Sequence, residues 1–388
     1  MAAGSKVLVL GTVTVILGLA AAALVLRDQM RCAGFEGPGV SAAELPPPVR
    51  TEGGLRVVSW NLRRFPIDEQ AGEAAGGMAA AGGIAAGLAY EPRTNICDLE
   101  DVLAGLDADL LMLTEVCDAR RFPPILRRSA PQRDYAVRLS EGGGTYGEHL
   151  ALAWDQSRLD LVEGPFELAG VALDPGLRPA LAARFRSRST RAVNPGMAVD
   201  LDVIVVHLEE APRAAAIRLD QMREVVRWIA ARDLERGRGS GSGDRAGDAD
   251  LLLAGTVPAA EGSGPDGDEL ARLDELLDGI GLRRIDGSVG CTRYAVPAGG
   301  GETLVPERAD HVWVRDLEEL DEAAPVAAWL HCARARCQGL ISAPGRRDAT
   351  FSDVSDHCPL TLELVDRDLD PPDTDDPMAP DPRDEGME

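Results

Sequence analysis

The chain is short of positive charge: 40 Lys and Arg stand against 64 Asp and Glu, a formal net charge of −24. Lys6 is its only lysine, so arginine carries nearly all the positive charge. Binding to long nucleic acid depends on Lys and Arg neutralising phosphates and releasing counterions. This balance therefore argues against a nuclease acting on long DNA. Internal repeats are also absent. The 45% apolar content suits a globular protein. With a hydrophobic N-terminus and an acidic tail set aside, roughly 310 residues remain, enough for one large domain.

Val7 to Leu26 is an apolar run without a charge, preceded by Lys6. Twenty residues at helical rise span a bilayer core, and the flank suits a signal peptide or an uncleaved signal anchor. The residues after the run lack a small-x-small cleavage site. Asp28-Gln29-Met30-Arg31 before Cys32 lacks the small residue of a lipoprotein signal, and Arg27 and Arg31 blunt the positive-inside rule. An anchor, a cleaved signal and a buried helix stay open. The first two place the domain outside the cytosol, membrane-anchored or secreted. The sequence divides into a signal anchor or signal peptide (1–31), a Pro/Gly-rich stalk (32–54), a domain (55–365) and a disordered acidic tail (366–388). The tail carries ten acidic residues against two arginines.

All seven cysteines lie beyond the apolar run, as export to an oxidising compartment allows. Cys97 opens an expected helix and Cys117 closes the following strand, so the two fall at one end of the unit and predict a disulfide. Cys332 and Cys337 predict a second, leaving Cys291 with Cys358 as a third pair and Cys32 over. Free buried thiols are the alternative. A zinc site at His331, Cys332 and Cys337 lacks a fourth ligand.

Strands are expected at Leu55–Leu62, Asp109–Glu115, Glu148–Trp154, Leu201–His207 and Asp250–Gly255, with late strands near Cys291–Val296, His311–Val314 and Cys358–Leu364. Helices are expected over Asn95–Leu106, over Pro212–Glu235 (Met222, Val225, Val226 and Ile229 on one face), and where Leu270, Leu273, Leu277 and Ile280 recur. The Gly/Ala-rich stretch 71–89 reads as a loop or insertion, and 237–247 as a Gly/Ser-rich break. Many strands with a few helices predict a layered α/β sandwich.

Polar groups sit where these strands end. They are Asn61 after Val57-Val58-Ser59-Trp60, Glu115 after Leu110-Leu111-Met112-Leu113-Thr114, and Tyr146-Gly147-Glu148. Further along come Val205-Val206-His207, Arg308-Ala309-Asp310-His311 and Ser355-Asp356-His357-Cys358-Pro359. An acid or histidine at the rim of a buried sheet is partly desolvated and held rigidly, which suits a metal or a phosphate ester. Taken singly, each has an ordinary reading: a surface acid, a structural histidine, an Asn that caps a turn, a tyrosine that packs.

In this order the segments resemble the endonuclease/exonuclease/phosphatase superfamily over about Leu55 to Leu364. Ser-Asp-His-x-Pro is the most specific element, and Tyr146-Gly147-Glu148-His149 is similar to the deoxyribonuclease I-like branch. The resemblance implies a four-layer α/β/β/α sandwich of two packed mixed sheets flanked by helices. It implies phosphodiester or phosphomonoester hydrolysis with Mg²⁺ or Mn²⁺ held by Asn61, Glu115 and Asp356. It also implies catalytic roles for His207, Glu148, Asp310, His357 and Tyr146, with Glu148 paired to His207 and Asp310 orienting a histidine. A small phosphate ester is the expected substrate, and the membrane, through the N-terminal helix, the expected partner.

One motif is lacking. Where the family has Gly-Asp-x-Asn, this chain has Gly255-Thr256-Val257-Pro258, so Thr256 replaces the Asp and Pro258 the Asn. Threonine offers no carboxylate near neutral pH, and proline has neither an amide side chain nor an N–H. Asp248 and Asp250 precede the strand, and Glu261 and Asp266 come after it in a loop from which they would reach back less firmly. The sequence thus carries two expectations: a phosphoesterase of reduced activity, or a catalytically inactive surface domain that binds or scaffolds.

Overall fold

The computed structural model describes residues 48–51, 53–67, 94–141, 143, 147–174, 176–188, 198–239, 250–259, 268–297, 303–319, 325–341 and 348–366. The apolar run, most of the stalk, the Gly/Ala-rich stretch, Tyr146, Asp248, Glu261, Asp266 and the tail beyond 366 lie outside them. Among the described residues no helix is long and apolar enough to cross a membrane.

The strands are β1 (Gly54–Phe65), β2 (Leu110–Val116), β3 (Tyr135–Leu139), β4 (His149–Asp155), β5 (Leu159–Leu168), β6 (Ala180–Ser187), β7 (Asp200–His207) and β8 (Asp250–Thr256). After them come β9 (Arg283–Arg284), β10 (Arg293–Ala295), β11 (Thr303–Glu307), β12 (Asp310–Arg315), β13 (Val326–Ala328), β14 (Leu340–Ile341) and β15 (Leu360–Val365). They form two six-stranded sheets, ordered β13-β15-β1-β2-β4-β3 and β5-β6-β7-β8-β12-β9, and a small sheet β10-β11-β14. β1 runs parallel to β2, and β7 to β8; the other pairings are antiparallel.

Strand alternation sorts each strand between two cores. Leu55 and Val57, Leu110 and Met112, Val203 and Val205, Leu252 and Ala254, and Val312 and Val314 share the core between the sheets. Their neighbours Val58, Trp60, Leu111 and Leu113 face outward with Leu99, Val102, Leu103 and Leu106 of the helix Ile96–Leu106 and Phe122, Ile125 and Leu126 of the helix Phe122–Ser129. On the far side Ile204, Val206, Leu251, Leu253 and Trp313 meet Met222, Val225 and Ile229 of the helix Ala215–Gly239 and Leu270, Leu273 and Leu277 of the helix Glu269–Asp278. Apolar residues on both faces of central strands are what a sheet covered on both sides requires. The result is the expected four-layer α/β/β/α sandwich.

Local signals set the ends. The Asn95 side chain accepts from Cys97 N at 3.0 Å and caps its helix. At one end of the sandwich, Arg133 bridges Asp109 at 2.7 Å and Asp155 at 2.9 Å and also pairs with Asp107. That arginine network closes the end opposite to the motif residues.

The cysteine expectations are corrected. Cys291 pairs with Cys337 and Cys332 with Cys358. Cys117 is a free thiol, and Cys97 is disulfide-bonded elsewhere. Sequence proximity misled for Cys332 and Cys337: Cys332 opens the short helix His331–Ala335, and Cys337 turns out just after it towards Gly290 and Cys291. Burial pushes the Cys117 thiol up to about 12, the nearby Glu148 and Glu115 charges adding to the effect. A thiol held that high stays protonated and unreactive. Cys332 and Cys337 are each bridged, to Cys358 and Cys291, which removes both thiolates from a zinc site with His331.

Candidate active site

Topology brings the motif residues together. β1, β2, β7 and β8 all end at one rim, and the antiparallel β4 and β12 begin there: Val116 pairs with His149, and Thr256 with Asp310. Alternation then aims the side chains. His207 shares the parity of Val203 and Val205, Thr256 that of Leu252 and Ala254, and Asp310 that of Val312 and Val314. All three therefore project between the sheets, as do Asn61 and Thr114 from the opposite side.

Glu115 has the outward parity, yet it turns into the same space because the backbone breaks there. Arg63 (φ 48°), Arg64 (φ 53°) and Glu115 (φ 58°) are all left-handed, and the β1–β2 register slips between Asn61 and Phe65. Non-glycine residues there cost of order 1 kcal/mol each and cluster at functional sites. The slip lets Arg64 N donate to Glu115 Oε2 at 2.8 Å while Asn61 Nδ2 donates to Oε1 at 2.7 Å. Asn61 Oδ1 is itself fixed by Arg63 N at 2.8 Å. Asn61 thus turns its amide N–H groups, not its oxygen, towards Glu115. Gly255 is required as well: at φ 144° an added Cβ would lie 2.0 Å from Val206 O.

Thr256, fully buried, has joined a closed network. Its hydroxyl donates to Asp310 Oδ1 at 2.8 Å and accepts from Asn61 Nδ2 at 3.1 Å, and Thr114 Oγ1 lies 3.2 Å away. Asp310 Oδ2 meets His357 Nδ1 at 2.6 Å. Burial alone would pull His357 down, but the charge and hydrogen bond of Asp310 outweigh it and hold the imidazole up at about 9. Burial likewise pushes against the Asp310 carboxylate, yet His357 and Thr256 keep it below its usual range. Ser355 Oγ donates to Asn61 O at 2.8 Å and accepts from His357 N at 3.1 Å, and Trp60 Nε1 donates to His357 O at 3.1 Å. The Ser-Asp-His segment is thereby pinned to β1.

The remaining residues depart from the expected pairing. Glu148 meets Arg178 Nε at 2.6 Å and Arg64 Nε at 3.2 Å rather than His207. His207 Nε2 instead bonds Glu210 Oε1 at 2.7 Å and lies 3.6 Å from Glu115 Oε1. Burial, helped by the Arg178 charge, outweighs Glu210 and Glu148 and moves the His207 pKa down. The physical reason is competition: a buried carboxylate takes a fixed guanidinium in preference to a neutral imidazole. Asp356 lies beside His357 and Arg293, and no contact joins it to Glu115. Its Oδ1 is buried without a protein partner. Pro258 follows the strand end and Tyr146 is outside the described residues. Asp250 begins β8, at the far end from Thr256.

Sequence reasoning missed Thr114, Arg178 and Glu210. Glu210 follows His207 by three residues, but beyond the end of a strand that spacing alone marks no pair. Arg178 stands in a connection with no pattern around it.

Burial pushes the Glu115 carboxyl up to about 8, the Glu210 and Glu148 charges adding to it. One ligand oxygen of Glu115 lies within 4.8 Å of one of Glu210.

No family model and no curated protein matches this chain. Among solved structures it is similar to an endonuclease/exonuclease/phosphatase family protein from Bacteroides thetaiotaomicron, with 17% identity over 80% of this chain and 97% of that one and a TM-score of 0.44. A mannosyl-6-phosphatase of the same organism matches at 16% identity over 80% and 99%, TM-score 0.44. The human Nocturnin catalytic domain with bound sulfate matches at 16% over 82% and 98%, TM-score 0.45. These solved structures, the first of them described as an endonuclease/exonuclease/phosphatase family protein, are what the chain is similar to.

Proposed function

We propose that this domain is a divalent-cation-dependent phosphoesterase of low turnover, acting outside the cytosol on a small phosphate ester. The observation that carries the reading is the convergence, on one buried rim, of the Glu115 carboxylate and the Asp310-held His357. The donor set fits a cation: one oxygen each from Glu115 and Glu210 lies within 4.8 Å of the other and of a His207 nitrogen, and carboxylate oxygens suit Mg²⁺ or Mn²⁺. Glu115 would hold the ion and Asn61 would orient Glu115. When bound, the cation offsets charge on the phosphate oxygens and the leaving oxygen.

The chain's own groups supply the rest. His357 has Nδ1 committed to Asp310, so Nε2 is the nitrogen left to donate to a phosphate or leaving-group oxygen. Asp310 keeps that imidazole protonated through neutral pH, which makes it an acid and not a base. Arg178, buried beside Glu148, adds a fixed positive charge to the same rim. The Thr256 position supplies no base: its Oγ1 is spent on Asp310 and Asn61. A positioned acid–base group contributes about 10²- to 10⁴-fold, and turnover is lower by that order.

Thr256's closed network also favours a second reading, a domain that binds a cation and an ester without cleaving it. Export is supported by Lys6 with the apolar run and by the disulfides Cys291–Cys337 and Cys332–Cys358. The acidic balance favours a small ester over nucleic acid. The test is hydrolysis of bis(p-nitrophenyl) phosphate and p-nitrophenyl phosphate with and without Mg²⁺ or Mn²⁺. Cation-dependent turnover lost in Glu115→Gln and His357→Ala supports hydrolysis. Equal rates in all three proteins exclude it.

A further inference from the structure

The loop after β7 carries a group that the expected chemistry leaves without a role. Glu210 lies three residues beyond His207, and its carboxylate oxygen is 2.7 Å from His207 Nε2. One ligand atom each from Glu115, His207 and Glu210 lies within 4.8 Å of the other two. The loop is held in place from outside. Arg218 Nη1 donates to Glu209 O and Ala211 O at 2.8 Å each, on either side of Glu210, and Gln221 Oε1 accepts from Glu209 N at 2.9 Å. Arg218 is in turn clamped by Glu269 at 2.6 and 2.8 Å. Rigid supports of this kind are what a ligand set needs.

We propose that Glu115, His207 and Glu210 form a mixed nitrogen–oxygen cation site that selects Mn²⁺ or a later transition dication over Mg²⁺. This deepens the cation-dependent reading and rests on it for the place of the ion, not for hydrolysis. Three observations carry it. Asn61 turns its N–H groups towards Glu115, with its oxygen taken up by Arg63 N, so it supports the carboxylate rather than completing an all-oxygen shell. One oxygen of each acid and the imidazole nitrogen lie within 4.8 Å of one another, an arrangement that could hold one ion. The His207 Nε2 distances of 2.7 and 3.6 Å bracket the roughly 3 Å between neighbouring ligands of an ion held at about 2.1 Å. Imidazole is a poor ligand for Mg²⁺ and a good one for transition ions, whose affinities rise along the first row.

The experiment uses the full chain. Calorimetric titrations with Mg²⁺, Mn²⁺ and Zn²⁺ give the affinities, and pulsed electron paramagnetic resonance of the Mn²⁺ complex reads nitrogen coordination directly. Wild type should bind Mn²⁺ and Zn²⁺ more tightly than Mg²⁺ and show a ¹⁴N coupling. His207→Gln should abolish that coupling. Glu210→Gln, which keeps size and a hydrogen bond to the imidazole, should weaken Mn²⁺ by more than the roughly 10-fold that loss of even a supporting group costs. Circular dichroism of each variant separates lost ligation from lost folding, and Asp220→Asn, on the adjoining helix face, serves as a folded control. Equal Mg²⁺ and Mn²⁺ affinities, or a Mn²⁺ complex without ¹⁴N coupling and indifferent to Glu210→Gln, would overturn the proposal. Nitrogen-coordinated Mn²⁺ on a protein that hydrolyses no phosphate ester would uphold the site and defeat the phosphoesterase reading. Mg²⁺-dependent hydrolysis untouched by Glu210→Gln would do the reverse.

Discussion

Restoring Thr256→Asp, alone and with Pro258→Asn, puts the missing base to a direct test. Thr256 is fully buried and its Oγ1 lies 2.8 Å from Asp310 Oδ1, so a new carboxylate would stand beside an existing one. At about 3 Å and an effective dielectric near 20, the repulsion is on the order of 5 kcal/mol. Asn61 and Thr114 can each turn a donor to the new charge, returning about 1.5–3 kcal/mol apiece. The balance is a destabilisation of about 2 kcal/mol or less, a melting temperature lower by several degrees. A bound cation should shrink that penalty. In exchange the carboxylate supplies the acid–base function, and cation-dependent turnover of an aryl phosphodiester should rise about 10²- to 10⁴-fold. Calorimetric melts with and without Mn²⁺, beside initial rates on bis(p-nitrophenyl) phosphate, measure both halves. A wild type already turning over as fast as the folded double variant would refute the view that Thr256 limits catalysis. A variant destabilised without cation by about 5 kcal/mol or more, the uncompensated repulsion, would refute the charge reasoning.

Gly255→Ala should leave little folded protein, because its Cβ meets Val206 O; a loss above about 3 kcal/mol in denaturant titration is expected. Cys332→Ser with Cys358→Ser opens a bridge of 26-residue separation and should cost about 3.5 kcal/mol, read by guanidinium unfolding in both redox states. Asp310→Asn removes the charge that holds His357 up, so the imidazole should titrate below its present value of about 9 by NMR; an unchanged value sinks that assignment. Burial opposes the Asp155 carboxylate, but Ser157 and Arg133 outweigh it and hold its pKa below 3.8. Because the folded pKa is depressed, its stabilisation is present above the unfolded value near 3.9 and is lost as pH falls through the folded one. Asp155→Asn should therefore be less stable at neutral pH and lose less stability on acidification, as melts between pH 2 and 6 will show.

The architecture was legible where residue pattern and burial agree. β1, β2, β7 and β8 are covered on both faces, so they read as continuous apolar runs, and each announced its end with a polar group. The sequence pattern predicts no strand between Trp154 and Leu201, where β5 and β6 lie. β5 is an edge strand with exposed Val162 and Phe166. In β6, Leu181, Ala183 and Phe185 turn inward while Arg184 and Arg186 reach Asp200 at 2.6 and 2.7 Å. Charges on the outward positions hid its period of two. In the site, the resemblance paired Asp310 with a histidine, and His357 is the one the fold delivers. Partners that depend on a third group were not readable: Arg178 takes Glu148, and Glu210 takes His207. Neither choice leaves a trace in spacing, because each is decided by competition among charges in three dimensions.

Backbone strain bears on what this rim has kept. A sandwich core alone would be served by a regular β1–β2 ladder, yet the ladder breaks where Arg63, Arg64 and Glu115 enter left-handed conformations. The strain secures the Arg64 N bond to Glu115 Oε2 and the inward turn of a carboxylate that alternation would point outward. Its sum, on the order of a few kcal/mol, is comparable to a sizeable fraction of a domain's net stability. The Thr256 network, by contrast, joins Thr114, Thr256 and Asp310 without a left-handed residue among them. The distortion is concentrated on the cation side of the rim and the relaxation on the water-activating side. Cation binding is therefore the property to look for first, and its loss in Glu115→Gln the measurement on which hydrolysis and scaffold readings both depend. If that variant binds Mn²⁺ as wild type does, the strain at Glu115 serves packing and neither reading of the site survives.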